Sequence, residues 1–520
     1  MASSPPTRAP GDPSGAPDGG SAAASVAPDR RGLLAVGGLV LLALLLRLPT
    51  AGEQSLWADE AFTRQIVDGS LGHVWSTIQE TENTPPLFYL LDWLWTRVVG
   101  TGELGMRSFS AVVGALTVVP VVALARRVGG SSLPSGVALA AGALVAVNPL
   151  AQWFGQEARS YALFVLLAAV AWLVLLRALE SPTPRRLATW ALAVTAITWT
   201  HYFGGLLFVV GWTAIGLALL TPAPSGPVLR RVRALRPLAL PAGLSAAACA
   251  ALIPVAANQQ STDMYRSISL IKGLSTRIVE TPKQFALGYD APAEVVVGVL
   301  LSVVLIGLVV AGAWPRDGRA TRATLIAGLA AAIWVLPLLA LVGGFDVVLT
   351  RNFVLLIPPL VVLAAVGAAR LGRRGLVVLA VVGVVQLGAV VAVATTPIYQ
   401  REDWRGMLAA SGDRIARPQL LLLEGYQRTP ALAYAPVLGE VQPGASVAVR
   451  SVAIVDRPEQ GKGLDRAPVP NPGPPGFTLV RVDQRAQWRV FVWQAPAPVP
   501  VAPEVLESLK GPDRTALVRP

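Results

Sequence analysis

Cysteine, histidine and charge are all scarce in this chain. Its 520 residues include one cysteine, Cys249, and two histidines, His73 and His201. These counts exclude a disulfide framework, a cysteine metal cluster and a multi-histidine zinc site. Charged residues make up only 14%, against about 25% in a typical soluble domain. With 53% hydrophobic residues and a mean hydropathy of +0.56, the composition predicts a polytopic membrane protein.

Acidic residues are the rarer charge, with 31 of them against 43 basic residues. A basic excess raises the question of a nucleic-acid partner. Here most arginines lie in short links between apolar runs, which is typical of topology signals in membrane proteins. We therefore expect membrane lipids as partners, and no nucleic acid.

The amino-terminal residues 1–29 are rich in proline, glycine, serine and alanine and have no hydrophobic periodicity. Such a segment cannot bury enough apolar surface to offset chain entropy, so it is predicted to be a disordered cytoplasmic tail. The following apolar run, Gly32–Leu48, has no cleavage pattern ahead of a soluble domain and is followed by further apolar runs. It is predicted to be an anchor and not a cleaved signal.

Apolar runs long enough to approach the roughly 20 residues of a membrane span recur through residues 30–395. Eleven spans are predicted, at about 32–48, 108–125, 134–151, 162–178, 187–203, 205–220, 237–257, 293–313, 322–342, 353–369 and 375–395. One further run, Pro85–Val99, is short, opens with two prolines and carries Asp92. It is predicted to be an interfacial or re-entrant helix. The fold class is thus an all-α polytopic membrane domain with interfacial helices in its first outer loop.

The positions of the arginines fix the predicted topology. With a cytoplasmic amino terminus and a non-spanning Pro85–Val99, every cytoplasmic link is short and basic, as the positive-inside rule requires. A spanning Pro85–Val99 would put all later basic links outside. The outer segments are then 49–107, 152–161, the turn at His201, 258–292, 343–352 and everything from residue 396.

The final residues, 396–520, differ in character from the rest. They are rich in proline and contain short strand-like runs such as Gln419–Leu423 and Val490–Trp493, with a predicted helix over Trp404–Ala410. Short runs that alternate with turn residues indicate strands. A small extracytoplasmic α/β domain is predicted here.

Unusual polar residues converge on the predicted outer face. They are Asp59 and Glu60 in the first outer loop, Glu157, Arg159 and Tyr161 in the second, His201 after the fifth span, and Arg351 before the tenth. A transport pathway would instead place ionisable residues in the middle of spans, and the spans after the first are nearly free of them. The convergence predicts an active site.

The order of these motifs resembles that of the GT-C glycosyltransferases. A first span is followed by Asp59-Glu60, by Pro85-Pro86-Leu87-Phe88-Tyr89, by a glycine-rich stretch from Gly100 to Ala111, and by Asn148-Pro149 leading to Gln156–Tyr161. The branch that it resembles comprises the protein O-mannosyltransferases and the lipid A aminoarabinose transferases. The resemblance covers about residues 32–395.

This resemblance implies transfer of a sugar from a polyprenyl phosphate to an acceptor hydroxyl at the outer face of the cell membrane, with inversion. Asp59 would be the general base, because an inverting displacement needs a carboxylate opposite the leaving phosphate. Arg159 and Arg351 would stabilise that phosphate. The remaining predicted substrate-binding residues are Glu60, Glu157, Tyr161 and His201.

The chain departs from the family in one motif: Thr84 stands where many relatives have histidine before Pro85-Pro86. Relatives that transfer whole oligosaccharides use a divalent ion, whereas the mannosyl and aminoarabinosyl types do not. No cofactor is predicted, although Asp59, Glu60 and Glu157 carry the oxygen ligands that a cation would use.

Alternatives remain open at this point. Asp59-Glu60 is also typical of a helix cap, Glu157 and Arg159 of a loop salt bridge, Arg351 of a snorkelling span end, and Tyr161 and His201 of interfacial residues. Glu60 is either a helix cap or a support for Asp59. A transporter or flippase of lipid-linked sugars, or a silent scaffold, would share the apolar groove. The sugar, the acceptor (protein, glycan or lipid) and the polyprenyl length stay undetermined.

Overall fold

The computed structural model describes residues 30–130, 133–220, 235–259, 273–316, 319–344, 346–412, 415–424, 428–442, 444–456, 473–510 and 514–520. The predicted tail 1–29 lies outside this part of the chain. The α-helices up to residue 395 are Arg30–Ala51, Ala58–Val67, Leu71–Thr81, Leu87–Val99, Glu103–Leu116, Val118–Gly129, Ser135–Val147, Pro149–Gly155, Tyr161–Glu180, Pro184–Thr200, Gly204–Leu220, Ala239–Ala250, Ile253–Gln259, Leu274–Leu287, Glu294–Ala313, Arg322–Val342, Ile357–Arg370 and Gly372–Thr395.

Each of the eleven predicted spans coincides with a helix or a broken helix in the described residues. Eight helical stretches are long and apolar enough to cross a membrane, and the bent pair Ser135–Val147 and Pro149–Gly155, with 56° between its halves, makes a ninth. Pro184–Thr200 and Gly204–Leu220 have 17 residues each, which is about the lower limit for a span. The chain is therefore a multi-pass membrane protein.

The helices divide into a buried centre and an exposed periphery. Tyr161–Glu180 and Thr350–Arg370 are mostly buried, and Trp172 and Phe353 lie in the same apolar core. Arg30–Ala51 is largely exposed, with Leu34 and Leu45 among its outward side chains. Such apolar surface suits lipid.

Small residues let two of the spans approach closely. A Cβ atom placed on Gly367 would lie 1.9 Å from the carbonyl oxygen of Leu308, and one on Gly312 would lie 2.1 Å from that of Leu363. Helix Glu294–Ala313 therefore packs against Ile357–Arg370 backbone to backbone, as small residues allow in membranes.

Basic residues gather at the end of the domain opposite the predicted site. Glu180, at the end of helix Tyr161–Glu180, pairs with Arg127 and, at 2.7 Å, with Arg322. A 20-residue helix is about 30 Å long, so this cluster is well separated from Tyr161. Arg230, Arg231 and Arg233 of another predicted basic link lie outside the described residues.

The first outer loop folds into three short helices. Ala58–Val67, Leu71–Thr81 and Leu87–Val99 share an apolar cluster that includes Ile66 and Phe88. The segment Pro85–Val99 forms only a 13-residue helix, which at 1.5 Å per residue is about 20 Å long and too short to cross the hydrocarbon core. It is not one of the helices with the length of a span.

The carboxy-terminal residues form the predicted α/β domain. Its six-stranded sheet has the order β2-β6-β1-β3-β5-β4, in which only β1 and β3 pair in parallel. The strands are β1 (Gln419–Glu424), β2 (Gly439–Glu440), β3 (Val447–Asp456), β4 (Thr478–Gln484), β5 (Arg489–Val501) and β6 (Arg514–Arg519), and the helices are Trp404–Gly412, Arg428–Tyr434 and Pro503–Lys510. Alternate β1 side chains enter two apolar layers, one on each face of the sheet.

This domain contacts the first outer loop. The Leu56 amide donates to the Tyr434 hydroxyl at 2.6 Å, and the Arg405 amide donates to the Ser55 hydroxyl at 3.1 Å. The domain and residues 54–57 are thus on the same side of the membrane domain, so an even number of spans separates them. Of the eleven predicted spans, ten lie between them, which satisfies this condition.

We expect Gly367→Ala to destabilise the protein by about 1–3 kcal/mol, because the added methyl group meets backbone that cannot move aside. Thermal unfolding of the detergent-solubilised protein measures this. Gly328→Ala in helix Arg322–Val342 is the matched control, since nothing lies within 4 Å of its Cβ position. Equal stability of the two variants would contradict the close packing.

Candidate active site

Asp59 lies in the first turn of helix Ala58–Val67. Its carboxylate is partly exposed, and Oδ2 lies 3.8 Å from Nη1 of Arg351, whose side chain is 39% exposed. The helix terminus favours a carboxylate through its unpaired amide groups. Two predicted site residues that are almost 300 positions apart in the chain are therefore neighbours with accessible charges.

Glu60, the next residue, is completely buried. Its carboxylate accepts two hydrogen bonds from Arg107, at 2.7 and 2.5 Å, and others from the amides of Ala158 at 2.9 Å and Trp57 at 3.3 Å. Burial alone would raise the pKa of Glu60, but the Arg107 charge and hydrogen bonds outweigh it and hold the pKa below its usual range. Glu60 therefore supports the helical turn that carries Asp59. Its side chain has no exposed surface that could make the predicted substrate contact.

Arg107 completes this support. Besides Glu60, its guanidinium donates to the carbonyl oxygens of Ala51 at 2.8 Å, Gln54 at 2.7 Å and Ser55 at 2.8 Å. An arginine has five N–H donors, and these contacts use them all. Arg107 ties the end of the first span to the Asp59 helix and has no donor left for a ligand.

Arg159 is paired with Glu82, which the sequence analysis did not single out. The contact is bidentate, at 2.7 and 3.0 Å, and the guanidinium lies over the Tyr89 ring at 5.8 Å. The alternative of a loop salt bridge therefore applies to Arg159 with Glu82 as its partner, and not with Glu157. The phosphate contact of Arg159 stays a prediction.

Glu157 is buried and pairs with Arg401, Oε2 to Nη2 at 3.2 Å. Its Oε1 has no hydrogen-bond partner within the described residues. Burial raises the pKa of Glu157 to about 7, although the Arg401 charge opposes this. Glu157 therefore binds a proton more readily than an exposed carboxylate does.

The two remaining predicted contacts differ in position. The His201 ring is buried, stacks on Phe164 with 4.7 Å between ring centroids, and accepts a hydrogen bond at Nδ1 from the Phe203 amide. It is not one of the residues that line the polar cavity described below, and its substrate contact stays a prediction. Tyr161 packs on Phe154 at 4.5 Å and does line the cavity.

A polar cavity of about 430 Å³ is lined by three of the seven predicted site residues, Glu157, Tyr161 and Arg351. Its walls come from five separate parts of the chain, represented by Trp57, Glu157, Lys283, Arg351 and Arg401. Asp59 is not a lining residue, but its carboxylate lies 3.8 Å from Arg351, which is one. Within the described residues, no group of three histidine, cysteine or acidic side chains is arranged to hold a metal ion; Glu60 and Glu157 are each paired with an arginine.

An apolar groove of about 490 Å³ lies on the other side of helix Leu274–Leu287. Phe285, Leu305, Trp334 and Leu360 represent its lining, and Thr281 of the same helix lies at its polar edge. Thr281 contacts Thr350 of the polar cavity at 3.0 Å between hydroxyl oxygens. The two spaces therefore flank one helix, and the groove has the lining that an extended hydrocarbon chain requires.

Sequence reasoning missed Glu82 and Arg401. Both had a weak signal: Glu82 precedes Thr84-Pro85-Pro86 closely, and Arg401 opens the charged run Arg401-Glu402-Asp403 directly after the last span. Neither signal identifies a partner, because the contacts of Arg401 are with Trp153 and Glu157.

Comparison with known proteins shows which fold this chain has. The sequence profile of the family described as dolichyl-phosphate-mannose-protein mannosyltransferase matches residues 83–258. The crystal structure of ArnT from Cupriavidus metallidurans, bound to undecaprenyl phosphate, is 14% identical, with 92% of this chain and 99% of that chain covered and a TM-score of 0.50. The chain has the GT-C fold. The resemblance seen in the sequence is thereby confirmed.

More distant structures also match. The oligosaccharyltransferase of Archaeoglobus fulgidus is 12% identical, with 74% of this chain covered and a TM-score of 0.42, and this chain spans 58% of its length. The arabinosyltransferase EmbB of Mycobacterium smegmatis is 14% identical, with 86% and 46% of the two chains covered and a TM-score of 0.44. A comparison with curated proteins finds no match.

We expect Glu60→Gln to destabilise the protein by about 3–5 kcal/mol, because it leaves Arg107 buried without its counter-charge. The free energy of unfolding, from a denaturant titration in detergent, measures the effect. Asp68→Asn is the matched control: its pair with Arg64 is largely exposed, and such pairs contribute about 0–1 kcal/mol. A Glu60→Gln protein as stable as the control would exclude the proposed support.

Proposed function

We propose that this protein is an inverting glycosyltransferase that moves a sugar from a polyprenyl-phosphate donor to an acceptor hydroxyl at the outer face of the cytoplasmic membrane. One observation carries the proposal: a polar cavity, whose lining residue Arg351 lies 3.8 Å from the partly exposed carboxylate of Asp59, is next to an apolar groove with a lining suited to a lipid chain. The acceptor is a glycan, a lipid or a protein. The amino terminus is then cytoplasmic, and the carboxy-terminal domain extracytoplasmic.

The charges of the polar cavity favour Arg351 as the phosphate ligand. Its other cations have closer carboxylates: Arg277 lies 2.8 Å from Asp346, Lys283 lies 2.7 Å from Glu294, and Arg401 lies 3.2 Å from Glu157.

Among the described residues, the carboxylate nearest to Arg351 is that of Asp59, 3.8 Å away and partly exposed. A loose, partly exposed ion pair is worth little, so an entering phosphate displaces it at small cost. Arg351 then stabilises the charge that develops on the leaving phosphate.

Asp59 is the proposed base. It is the accessible member of the acidic pair, and its neighbour Glu60 anchors the same helical turn by accepting a hydrogen bond from the Ala158 amide. When phosphate takes Arg351, the Asp59 carboxylate is released to accept the proton of the acceptor hydroxyl as that oxygen attacks the anomeric carbon. Tyr161 and Glu157 lie in the wall of the polar cavity and are the proposed contacts of the sugar.

The donor lipid fits the apolar groove. Its lining is almost entirely aliphatic and aromatic, and it lies directly behind the helix that forms one wall of the polar cavity. The ArnT structure contains undecaprenyl phosphate, a ligand of the proposed class.

We expect Asp59→Asn to lower sugar transfer by about 10²–10⁴-fold, because a general base contributes on that scale, while donor affinity is kept. Transfer from a panel of radiolabelled polyprenyl-phosphate sugars in membranes measures the rate, and donor binding is measured separately. The control is Asp68→Asn, at the opposite end of the same helix. Full transfer by Asp59→Asn would overturn the base, and lipid translocation without transfer in the wild type would favour a flippase.

We expect Leu360→Trp to fill the apolar groove and to raise KM for long-chain polyprenyl donors far more than for short-chain analogues. The ratio of kcat/KM between the two donors measures the effect, and a loss of overall fold would lower both equally. Leu325→Trp, at an exposed position of helix Arg322–Val342, is the control. An unchanged ratio would place the lipid elsewhere.

A further inference from the structure

The segment that leaves the last span runs along the wall of the polar cavity. Arg401 is 5% exposed, and its guanidinium donates to the Trp153 carbonyl at 2.8 Å and to Glu157 at 3.2 Å. It also stacks on the Trp153 ring at 4.2 Å. An arginine that is buried this completely is held by several contacts at once, because a guanidinium without partners is costly to bury.

The sheet domain holds the backbone of this segment. The side-chain amide of Gln487, in the turn between β4 and β5, donates to the carbonyl oxygens of Pro397 at 2.7 Å, Gln400 at 2.8 Å and Arg401 at 2.8 Å. Trp488 next to it donates to Asp403 at 3.4 Å. The position of Arg401 is therefore set by the sheet domain and not by the last span alone.

The same domain holds the loop that leads to Asp59. The Arg401 amide donates to the Gln54 side chain at 3.1 Å. The Tyr434 hydroxyl accepts from the Leu56 amide at 2.6 Å and donates to Glu103 at 2.9 Å. Residues 54–56 end three positions before Asp59, so displacement of the domain would move the start of the Asp59 helix.

We propose that Arg401 is a positioning residue of the active site, and that the carboxy-terminal sheet domain is a working part of that site. Through Arg401 it orients Glu157, and through Tyr434 it fixes the loop before Asp59. Oε2 of Glu157 is then held in place, while the buried Oε1 has no hydrogen-bond partner within the described residues. The kinetic consequences of this inference rest on the proposed glycosyltransferase function. The contacts from which it is argued do not depend on that function.

The charges around Glu157 predict how the pH dependence of transfer changes when Arg401 is removed. The charged groups that act on Glu157 are Arg401, Glu60 and Asp59. The charge of Glu157 in turn acts on Tyr161 and Tyr289, and Arg351 lines the same cavity. Burial, together with the charges of Glu60 and Asp59, raises the pKa of Glu157 to about 7, and Arg401 lowers it. Removal of Arg401 must therefore raise the pKa of Glu157 further. If transfer needs the ionised form, the acid limb of the pH–rate profile moves to higher pH.

We expect Arg401→Met in the full chain to lower kcat/KM for transfer by about 10²-fold, the size of a small misplacement of reacting groups, and to move the acid limb upward. Arg401→Lys keeps the charge and restores part of both. The control is Arg428→Met, which removes an exposed pair with Glu440. A wild-type rate, or a loss of rate without movement of the acid limb, would overturn the positioning role.

Two further variants keep the inference testable if Arg401→Met does not fold. Gln487→Ala removes the three hydrogen bonds to the 397–401 backbone without changing a residue of the cavity lining. We expect it to lower transfer as well, and unchanged transfer counts against the role of the domain.

A double-mutant cycle of Glu157→Gln with Arg401→Met, read by thermal unfolding, needs no activity. Coupling supports the pair and additivity excludes it, even where the wild type transfers no sugar and the proposed function itself has failed.

Discussion

The buried pair of Glu60 and Arg107 is the interaction on which the site depends. Neither group touches solvent to any significant extent, so each would be very costly to bury alone, and only the other makes its position tolerable. The cost of separating them is what makes the pair a rigid connection. Because Arg107 also binds the carbonyl groups at the end of the first span, the Asp59 helix is joined to both the first and the second predicted span.

This connection explains how adjacent carboxylates acquire opposite roles. Successive residues of a helix point about 100° apart, so one side chain can enter the core while its neighbour faces a cavity. Glu60 turns inward to Arg107 and Ala158, and Asp59 turns toward Arg351. A base must be accessible and still well oriented. The pair satisfies both conditions by dividing them between two residues.

Sequence reasoning predicted the parts of the molecule that are governed by composition. Apolar runs give spans, and the strand-like run Gln419–Leu423 became β1, because hydropathy and alternation act locally. The same reasoning failed wherever a pairing joins distant segments. Arg401 meets Glu157 across 244 positions, and no spacing rule connects them. Arg159 belongs to a motif that the sequence displays, but its partner Glu82 is 77 positions away, and no spacing in the sequence links the two.

Most of the cations that line the cavity are paired with carboxylates. Arg277, Lys283 and Arg401 are each matched by a carboxylate within 3.2 Å, so they shape the cavity walls and add little net field. Only a loosely held pair changes partner easily, since its separation costs little. Arg351 and Asp59 form such a pair at 3.8 Å. In the proposed reaction the arrival of the donor phosphate and the release of the base are then one event, which ties proton abstraction to the presence of a donor.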